Sequence, residues 1–276
     1  MLAKNFLLFF LSFSLFSCST DEEILIDNSL RSDKIIYNEA ANLLNNGKYE
    51  EATELFTELD LQHPYSKWAT KGQLMSGFAL YKNNQYEESI FALSKFINLN
   101  PNHKDLHYAY YLRGYCYYER ISAVTLDQAI AIKAFDSFTE LINRFPNSNY
   151  SKKSIKHLKL LTNQLAGHEM YVGNYYQEKG NYLAGILRYK TILKKYKNSA
   201  QVPETIYRMI ESYLSIGLNK QAIIFASILG YNYPKSEWYK DAFELMKDKK
   251  LNLKIETKNF NKKSLNLNDL NFDELN

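Results

Sequence analysis

The chain has little cysteine, proline, glycine or tryptophan, with 2, 5, 10 and 2 of them in 276 residues. The two cysteines exclude a disulfide framework, because Cys18 falls in an N-terminal targeting segment and Cys116 then has no partner. The formal net charge of +4 is too slight to indicate nucleic acid. No phosphate-binding loop, nucleophile elbow or cysteine-rich metal motif occurs. The sequence therefore does not support an enzyme, and it predicts no cofactor.

The few histidines give no clear sign of chemistry. His103 and His107, with Asp105 between them, have the spacing of a metal pair. They straddle the start of a predicted helix and lack a third ligand, so capping or solvated histidines are the favoured interpretation. His168 and Glu169 lie in the middle of a predicted helix with no nucleophile nearby in sequence.

The apolar run near the N-terminus is too short to span a bilayer. Residues 1–17 have the layout of a bacterial export signal, which ends at Leu15-Phe16-Ser17-Cys18. This phrase resembles the lipobox, in which the signal is cut before a cysteine that carries lipid. The alternative is an ordinary secretory peptide with a chance cysteine. Lipid on Cys18 would hold the protein on a membrane, with 18–31 as its tether. Because serine and not aspartate follows Cys18, we expect the outer membrane and its periplasmic face.

What the chain does have is a repeated helical pattern. Five times a small residue is followed, twelve positions later, by the end of a predicted helix, and proline marks that end in four cases. The pairs are Ala52 and Pro64, Ser89 and Pro101, Ala134 and Pro146, Gly185 and Lys197, and Ala222 and Pro234. The pattern resembles the tetratricopeptide repeat. It predicts an all-α fold, a right-handed superhelical stack of about five helical hairpins, with each small residue where helices A and B of a hairpin cross.

The repeats predict one domain over 32–249. We expect the hairpins at about 33–64, 70–101, 107–146, 166–197 and 203–234, followed by a capping helix to about Lys249. Residues 149–179 lack proline and predict a single long helix whose second half is helix A of repeat 4.

Residues 250–276 are rich in Asn, Lys and Asp, and predict a disordered or loosely attached tail. The alternative is that apolar residues of this tail form a docking strip, namely Leu265, Leu267, Leu270 and Phe272.

Tyrosine is abundant, with 23 residues. Within helix A of repeat 3 tyrosines recur at spacings of three, four and three, which places them on one stripe. They are Tyr108, Tyr111, Tyr115 and Tyr118. Tyr37, Phe78 and Tyr81 fall at equivalent positions in repeats 1 and 2. Since helix A lines the concave side of such arrays, these seven residues are a candidate peptide groove. The alternative is that the rings pack against neighbouring repeats.

Lysines cluster in two places. Lys152, Lys153, Lys156 and Lys159 lie on the long helix, and a second group lies in helix B of repeat 4. Such runs are usually solvated helix faces. The second group (Lys190, Lys194 and Lys195) is also a candidate contact for an acidic partner subunit.

Several phrases go beyond the generic repeat. They are His168-Glu169-Met170 and Tyr175-Tyr176 in repeat 4, and Ser236-Glu237-Trp238-Tyr239 after repeat 5. With the lipobox and the long helix, they resemble the family of BamD lipoproteins, which serve the machinery that inserts β-barrels into the bacterial outer membrane. The resemblance covers about residues 15–245.

The resemblance implies a non-enzymatic, lipid-anchored scaffold. Its C-terminal repeats would dock the barrel-forming subunit, and its N-terminal repeats would hold the C-terminal targeting segment of unfolded barrel proteins, which ends in an aromatic residue. Other assembly lipoproteins are implied as partners, and nucleic acid is not. The alternative is a periplasmic repeat protein that organises cell division or the envelope.

Overall fold

The computed structural model describes residues 31–249, 251 and 265–267. Within these ranges there are eleven α-helices and no strand, so the all-α prediction is confirmed. The predicted export signal, the lipidated Cys18 and the tether up to residue 30 lie outside the described residues.

The first ten helices form five consecutive hairpins. In chain order the pairs are α1 (Asp33–Asn45) with α2 (Tyr49–Gln62), α3 (Lys67–Lys82) with α4 (Tyr86–Leu99), α5 (Leu106–Tyr118) with α6 (Ala129–Arg144), α7 (Asn149–Glu178) with α8 (Tyr182–Lys195), and α9 (Val202–Ser215) with α10 (Asn219–Asn232). A final helix, α11, spans Glu237–Asp248. Helix α7 is one element of 30 residues, as the absence of proline predicted, whereas α3 begins three residues before the expected 70.

In four of the repeats, a residue with left-handed backbone conformation lies in the turn between helix A and helix B. They are Gly47, Asn84, Gly180 and Gly217, with φ between 59° and 78°. Only glycine, and to a lesser extent asparagine, adopts this conformation at little cost. These four positions therefore allow the tight turns of the hairpins.

After three of the five prolines, a serine two positions later starts the next helix. The Ser66 hydroxyl accepts hydrogen bonds from the backbone N–H groups of Trp68 and Ala69, and Ser148 and Ser236 cap α7 and α11 in the same way. Such N-caps satisfy backbone donors that the helix leaves unpaired, and each contributes about 1 kcal/mol. The phrase Pro-x-Ser thus ends one helix and begins another.

Small residues do lie where helices A and B cross. Ala52, Ser89, Ala134 and Ala222 are fully buried. In repeat 4 glycine occurs on both helices, and a Cβ on Gly185 would lie 3.2 Å from the backbone oxygen of Gly173. In repeat 4 there is therefore little room for a Cβ atom between α7 and α8.

The A helices form one continuous row. Each of α1, α3, α5, α7 and α9 contacts the next A helix, and α9 contacts α11. Clefts open instead between B helices, for example a cavity of about 460 Å³ that is lined by α2, α3 and α4. Closer spacing along the A row places it on the concave side of the stack. The right-handed sense of the superhelix stays a prediction.

The largest apolar cluster lies at the C-terminal end, where 20 buried residues join α7 to α11 and Leu267. Leu265 and Leu251 pack against this cluster. The expectation of a loosely attached tail therefore does not hold at residues 265–267, because an apolar face of the last hairpin is available to them. Leu270 and Phe272 lie outside the described residues. None of the described helices has the length and apolarity needed to cross a membrane.

Candidate functional site

An aromatic ladder runs across the A helices α3, α5 and α7. We use this name for eight of the rings that contacts join on these helices, namely Phe78, Tyr81, Tyr108, Tyr111, Tyr115, Tyr118, Tyr150 and His157. The ladder includes six of the seven aromatic residues that the sequence predicted as a groove. Since the A helices form the concave row, it lies on the surface that repeat arrays use for ligands.

The central part of the ladder comes from α5. The ring of Tyr115 stacks on Tyr111 and on Tyr118, with centroids 5.9 Å apart in both pairs. Tyr81 of α3 approaches Tyr115 edge-on, also at 5.9 Å. Spacings of three and four along one helix bring these rings together, as the sequence pattern predicted.

Two further rings, Tyr150 and His157 of α7, were missed by the sequence interpretation. The ring of Tyr150 lies 5.1 Å from those of both Tyr108 and Tyr111, and His157 lies 4.8 Å from Tyr118. They are seven positions apart, which places them on one face of α7. That spacing was the available signal, but only the packing of α7 on α5 shows which face meets the tyrosines.

The two interpretations of the tyrosine stripe are not exclusive. All the ladder rings are partly buried, so each packs against neighbours and keeps some exposed surface. Tyr37 behaves differently: its ring contacts Phe56 and Trp68, 5.9 and 4.8 Å away, within and beside repeat 1. Tyr37 shares an apolar cluster with Phe78, but among the described residues no ring contact joins it to the ladder.

The ladder is a low-polarity environment with charges at its edges. A hydrogen bond to Glu119 is the largest cause of the raised pKa of Tyr115, and burial is the next largest. Burial also raises the pKa of Tyr108. Burial and the nearby Lys156 charge lower the pKa of His157, and its Nδ1 atom is buried without a hydrogen-bond partner within the described chain.

Charged residues lie beside the ladder rings, and two of them, Lys156 and Glu119, lie near His157. Glu119 follows Tyr118 at the end of α5. Lys153 Nζ lies 5.5 Å from the centroid of the Tyr150 ring, which contacts both Tyr108 and Tyr111. Lysines 153 and 156 thus give the α7 side of the ladder a positive edge. An aromatic side chain with a nearby carboxylate would find complementary groups here.

The predicted subunit contact lies on a different surface, the outer face of α8. Lys190 lines a groove of about 380 Å³ between α8 and α10, together with Leu183 and Leu187, which are 62% and 67% exposed. Lys194 and Lys195 follow on the last turn of α8 and are exposed. The sequence interpretation found the lysines but missed the leucines, because two leucines four apart are also typical of a buried helix face.

His168 has a structural role. Its Nδ1 lies 2.7 Å from the backbone oxygen of Val124, and Gln164 donates to the Ser122 oxygen at 3.0 Å. The two side chains hold the long loop between α5 and α6 against the middle of α7. The His103 Nδ1 atom accepts a hydrogen bond from Asp105 N, the capping role favoured for it. No group of three or more potential metal-binding side chains occurs within the described ranges.

Comparison with known proteins places these features in a family. Residues 30–228 match the profile of the YfiO family, described as outer membrane lipoprotein. Three curated relatives are named outer membrane protein assembly factor BamD. The chain is 37% identical over 226 residues to the one from Caulobacter vibrioides, covering 82% of this chain and 74% of the relative. It is 39% identical to that of Rickettsia prowazekii (77% and 85% covered) and 29% to that of Neisseria meningitidis (85% and 92%).

The profile match spans all five repeats up to α10, including the aromatic ladder and the groove on α8. The phrases around His168 and the long helix, which carried the resemblance in the sequence, lie within it. The chain therefore belongs to the YfiO family of outer membrane lipoproteins, whose curated relatives bear the name BamD.

Proposed function

We propose that the protein is a non-catalytic scaffold of outer-membrane β-barrel assembly, anchored by lipid on Cys18 to the periplasmic face of the outer membrane. Its aromatic ladder binds the C-terminal targeting segments of unfolded barrel proteins. The observation that carries this proposal is the ladder itself, a concave aromatic surface with a basic edge in a chain of the YfiO family.

The chemistry of the ladder fits a peptide that ends in an aromatic residue. Partly buried rings offer stacking partners at little entropic cost, since neighbouring rings already hold them in place. Lys153 and Lys156 lie where they could attract the terminal carboxylate of such a segment. An internal aromatic residue would lack that charge, so the ladder would favour chain ends.

The groove on α8 supports a second contact, with the barrel-forming subunit. Leu183 and Leu187 supply exposed apolar area, and Lys190, Lys194 and Lys195 supply positive charge around it. Apolar centres with a polar rim are typical of specific protein interfaces. We place the subunit contact here because it leaves the ladder open for targeting segments.

A binding measurement tests the ladder. We expect a labelled peptide with the C-terminal sequence of a barrel protein to bind, and the Tyr81→Ala and Tyr118→Ala changes to weaken it at least about tenfold, or about 1.4 kcal/mol. The control is Tyr171→Ala, a half-exposed tyrosine of α7 outside the ladder. Circular dichroism establishes that each variant is folded. Unchanged affinity in both folded ladder variants would refute the proposed site.

The carboxylate has a matched test. Amidation of the peptide's C-terminus removes its negative charge, and we expect the same loss of affinity as in the Lys153→Ala/Lys156→Ala double variant. Combining the amidated peptide with that variant should cause little further loss, because both changes remove one interaction. Additive losses would show that the lysines act elsewhere.

Two experiments in cells test the anchor and the partners. Metabolic labelling with a fatty acid should mark the wild-type protein and not Cys18→Ser, which should also leave the membrane fraction. Affinity purification from detergent-solubilised membranes should recover the barrel-forming subunit, and the Leu187→Asp change should reduce its yield. Recovery of division proteins without that subunit would instead favour an organiser of cell division.

A further inference from the structure

Asn232, the last residue of α10, binds the backbone of the tail. Its Nδ2 donates to the Leu265 carbonyl at 2.7 Å, and its Oδ1 accepts from the Leu267 N–H at 3.3 Å. The same Nδ2 group also donates a hydrogen bond to the Ile228 carbonyl, within α10, at 2.8 Å. The side chain is thus fixed to its own helix while it pairs with one carbonyl and one N–H group of the segment 265–267.

The leucines of this segment contact the end of the array. Leu267 is only 6% exposed and belongs to the C-terminal apolar cluster, and Leu265 is partly buried against it. In the earlier repeats the next hairpin covers helix B. Among the described residues the 12-residue α11 is the one α-helix that follows α10, and its buried residues are Ala242 and Met246. The last hairpin therefore has apolar surface that α11 leaves for another segment to cover.

The contacts that hold residues 265–267 are of a kind that a peptide segment of another protein can also make. Asn232 contacts main-chain atoms, which every peptide has, and the side chains of Leu265 and Leu267 add selectivity. One deeply buried side chain and two hydrogen bonds make a small contact, and it depends on the high effective concentration that a tether provides. The family profile ends at residue 228, before Asn232, so this contact lies beyond the matched region.

We propose that this end of α10 is a binding site for Leu-x-Leu peptide segments, and that the chain's own residues 265–267 occupy it and compete with a partner's segment. The site is separate from both the aromatic ladder and the α8 groove. Its occupancy by the tail keeps it closed until a partner segment displaces residues 265–267. The proposed assembly function does not depend on it.

A labelled peptide of residues 262–270 tests the site. In the full chain we expect wild type to bind this peptide at least about tenfold more weakly than Leu267→Asp, because the substitution expels the chain's own segment. Adding Asn232→Ala to Leu267→Asp should reduce the affinity again by about tenfold. The control for the second change is Asn219→Ala, an exposed asparagine at the other end of α10.

Three outcomes would overturn the proposal. The first is that wild type and Leu267→Asp bind the peptide with equal affinity. The second is that Leu267→Asp shows no saturable binding of the peptide up to about 1 mM. The third is that Leu267→Asp binds a peptide with aspartate at position 267 as tightly as it binds the unchanged peptide. Melting curves establish that the Leu267→Asp chain is folded. If it is not, Leu267→Ala takes its place with the same expectations.

Discussion

At Gly173 the absence of one methyl group allows α7 and α8 to approach each other. A Cβ there would lie 2.4 Å from Cε1 of Tyr189, closer than real contacts allow. Tyr189 cannot give way easily, because its ring is fully buried and its hydroxyl lies 2.8 Å from Asn174 Oδ1 and 2.7 Å from Gln177 Oε1. A hydrogen-bonded ring thus occupies the space that a side chain at Gly173 would need.

We expect Gly173→Ala to lower the free energy of unfolding by at least about 2 kcal/mol, because the overpacked ring must move. Gly167→Ala is the control on the same helix. Its nearest neighbour would be Val124 Cγ1 at 3.4 Å, an ordinary contact, and alanine is favoured over glycine in helices by about 1 kcal/mol. Denaturant unfolding measures both variants. Equal effects at the two positions would contradict the predicted clash.

His157 makes stability depend on pH. Burial among rings, with the charge of Lys156, lowers its pKa from the ordinary 6.5. The unfolded chain therefore takes up a proton at higher pH than the folded chain does. Its contribution to stability is thus complete above about pH 6.5 and is lost as the pH falls from there toward the lowered pKa.

The His157→Phe variant, which keeps a ring beside Phe138, should lose this dependence. We expect its melting temperature to fall less than that of wild type between about pH 7 and pH 5. Thermal melts across this range measure the difference. Parallel curves for the two proteins would show that another group is responsible.

At the scale of the element, the long helix α7 connects repeats 3 and 4. Its first half carries Tyr150 and His157 of the ladder, and its second half pairs with α8. Between them, Gln164 and His168 hold the loop that precedes α6. Gln128 adds hydrogen bonds to the loop carbonyls of Ala123 and Leu126, so the loop has partners on both sides. One helix thereby joins the ladder to the hairpin that carries the α8 groove.

We expect His168→Ala to loosen this loop while the hairpins persist. Loss of one buried hydrogen bond, about 1 kcal/mol, should raise amide exchange in residues 121–127 about fivefold. The control is Tyr171→Ala on the same helix, where the side chain is half exposed. Hydrogen exchange measured by mass spectrometry gives both rates. Unchanged exchange in the loop would mean that Gln164 and Gln128 suffice to hold it.

At the scale of the whole molecule, the core is unequal along the stack. Twenty buried residues join α7 to α11 and the tail, whereas the cluster around α1 and α2 that contains Ala52 has five. In a repeat array each hairpin is stabilised mainly by its neighbours, so stability follows the local core. Within the described part of the chain, the first hairpin has a neighbouring helix on one side only.

Among the five hairpins, we expect amide hydrogen exchange to be slowest in the last (α9 and α10) and fastest in the first (α1 and α2). Exchange under native conditions measures the free energy of local opening for each helix. The comparison uses the interior of each helix, since helix ends fray in any protein. Slower exchange in α1 than in α10 would contradict this order.

The hairpins, the long helix and the tyrosine stripe were predictable because they depend on residues close in sequence. Proline and serine end and start helices, small residues recur at the crossings, and spacings of three and four define a helix face. Tyr37 shows the limit of that reasoning. It lies three positions before Ala40, as Tyr111 lies three positions before Gly114 in repeat 3, yet its ring contacts Phe56 and Trp68 and not the ladder.

By itself, the sequence determined the helices, their pairing into hairpins and the family, since local signals and short turns decide these. Only the tertiary structure decided what lies beside what. It placed Tyr150 and His157 on the ladder, exposed Leu183 and Leu187, and brought Leu267 to Asn232, 35 positions away. The reason is physical: the periodicity of a helix shows which side chains share a face, but only the packing of separate helices selects the neighbour that each face meets.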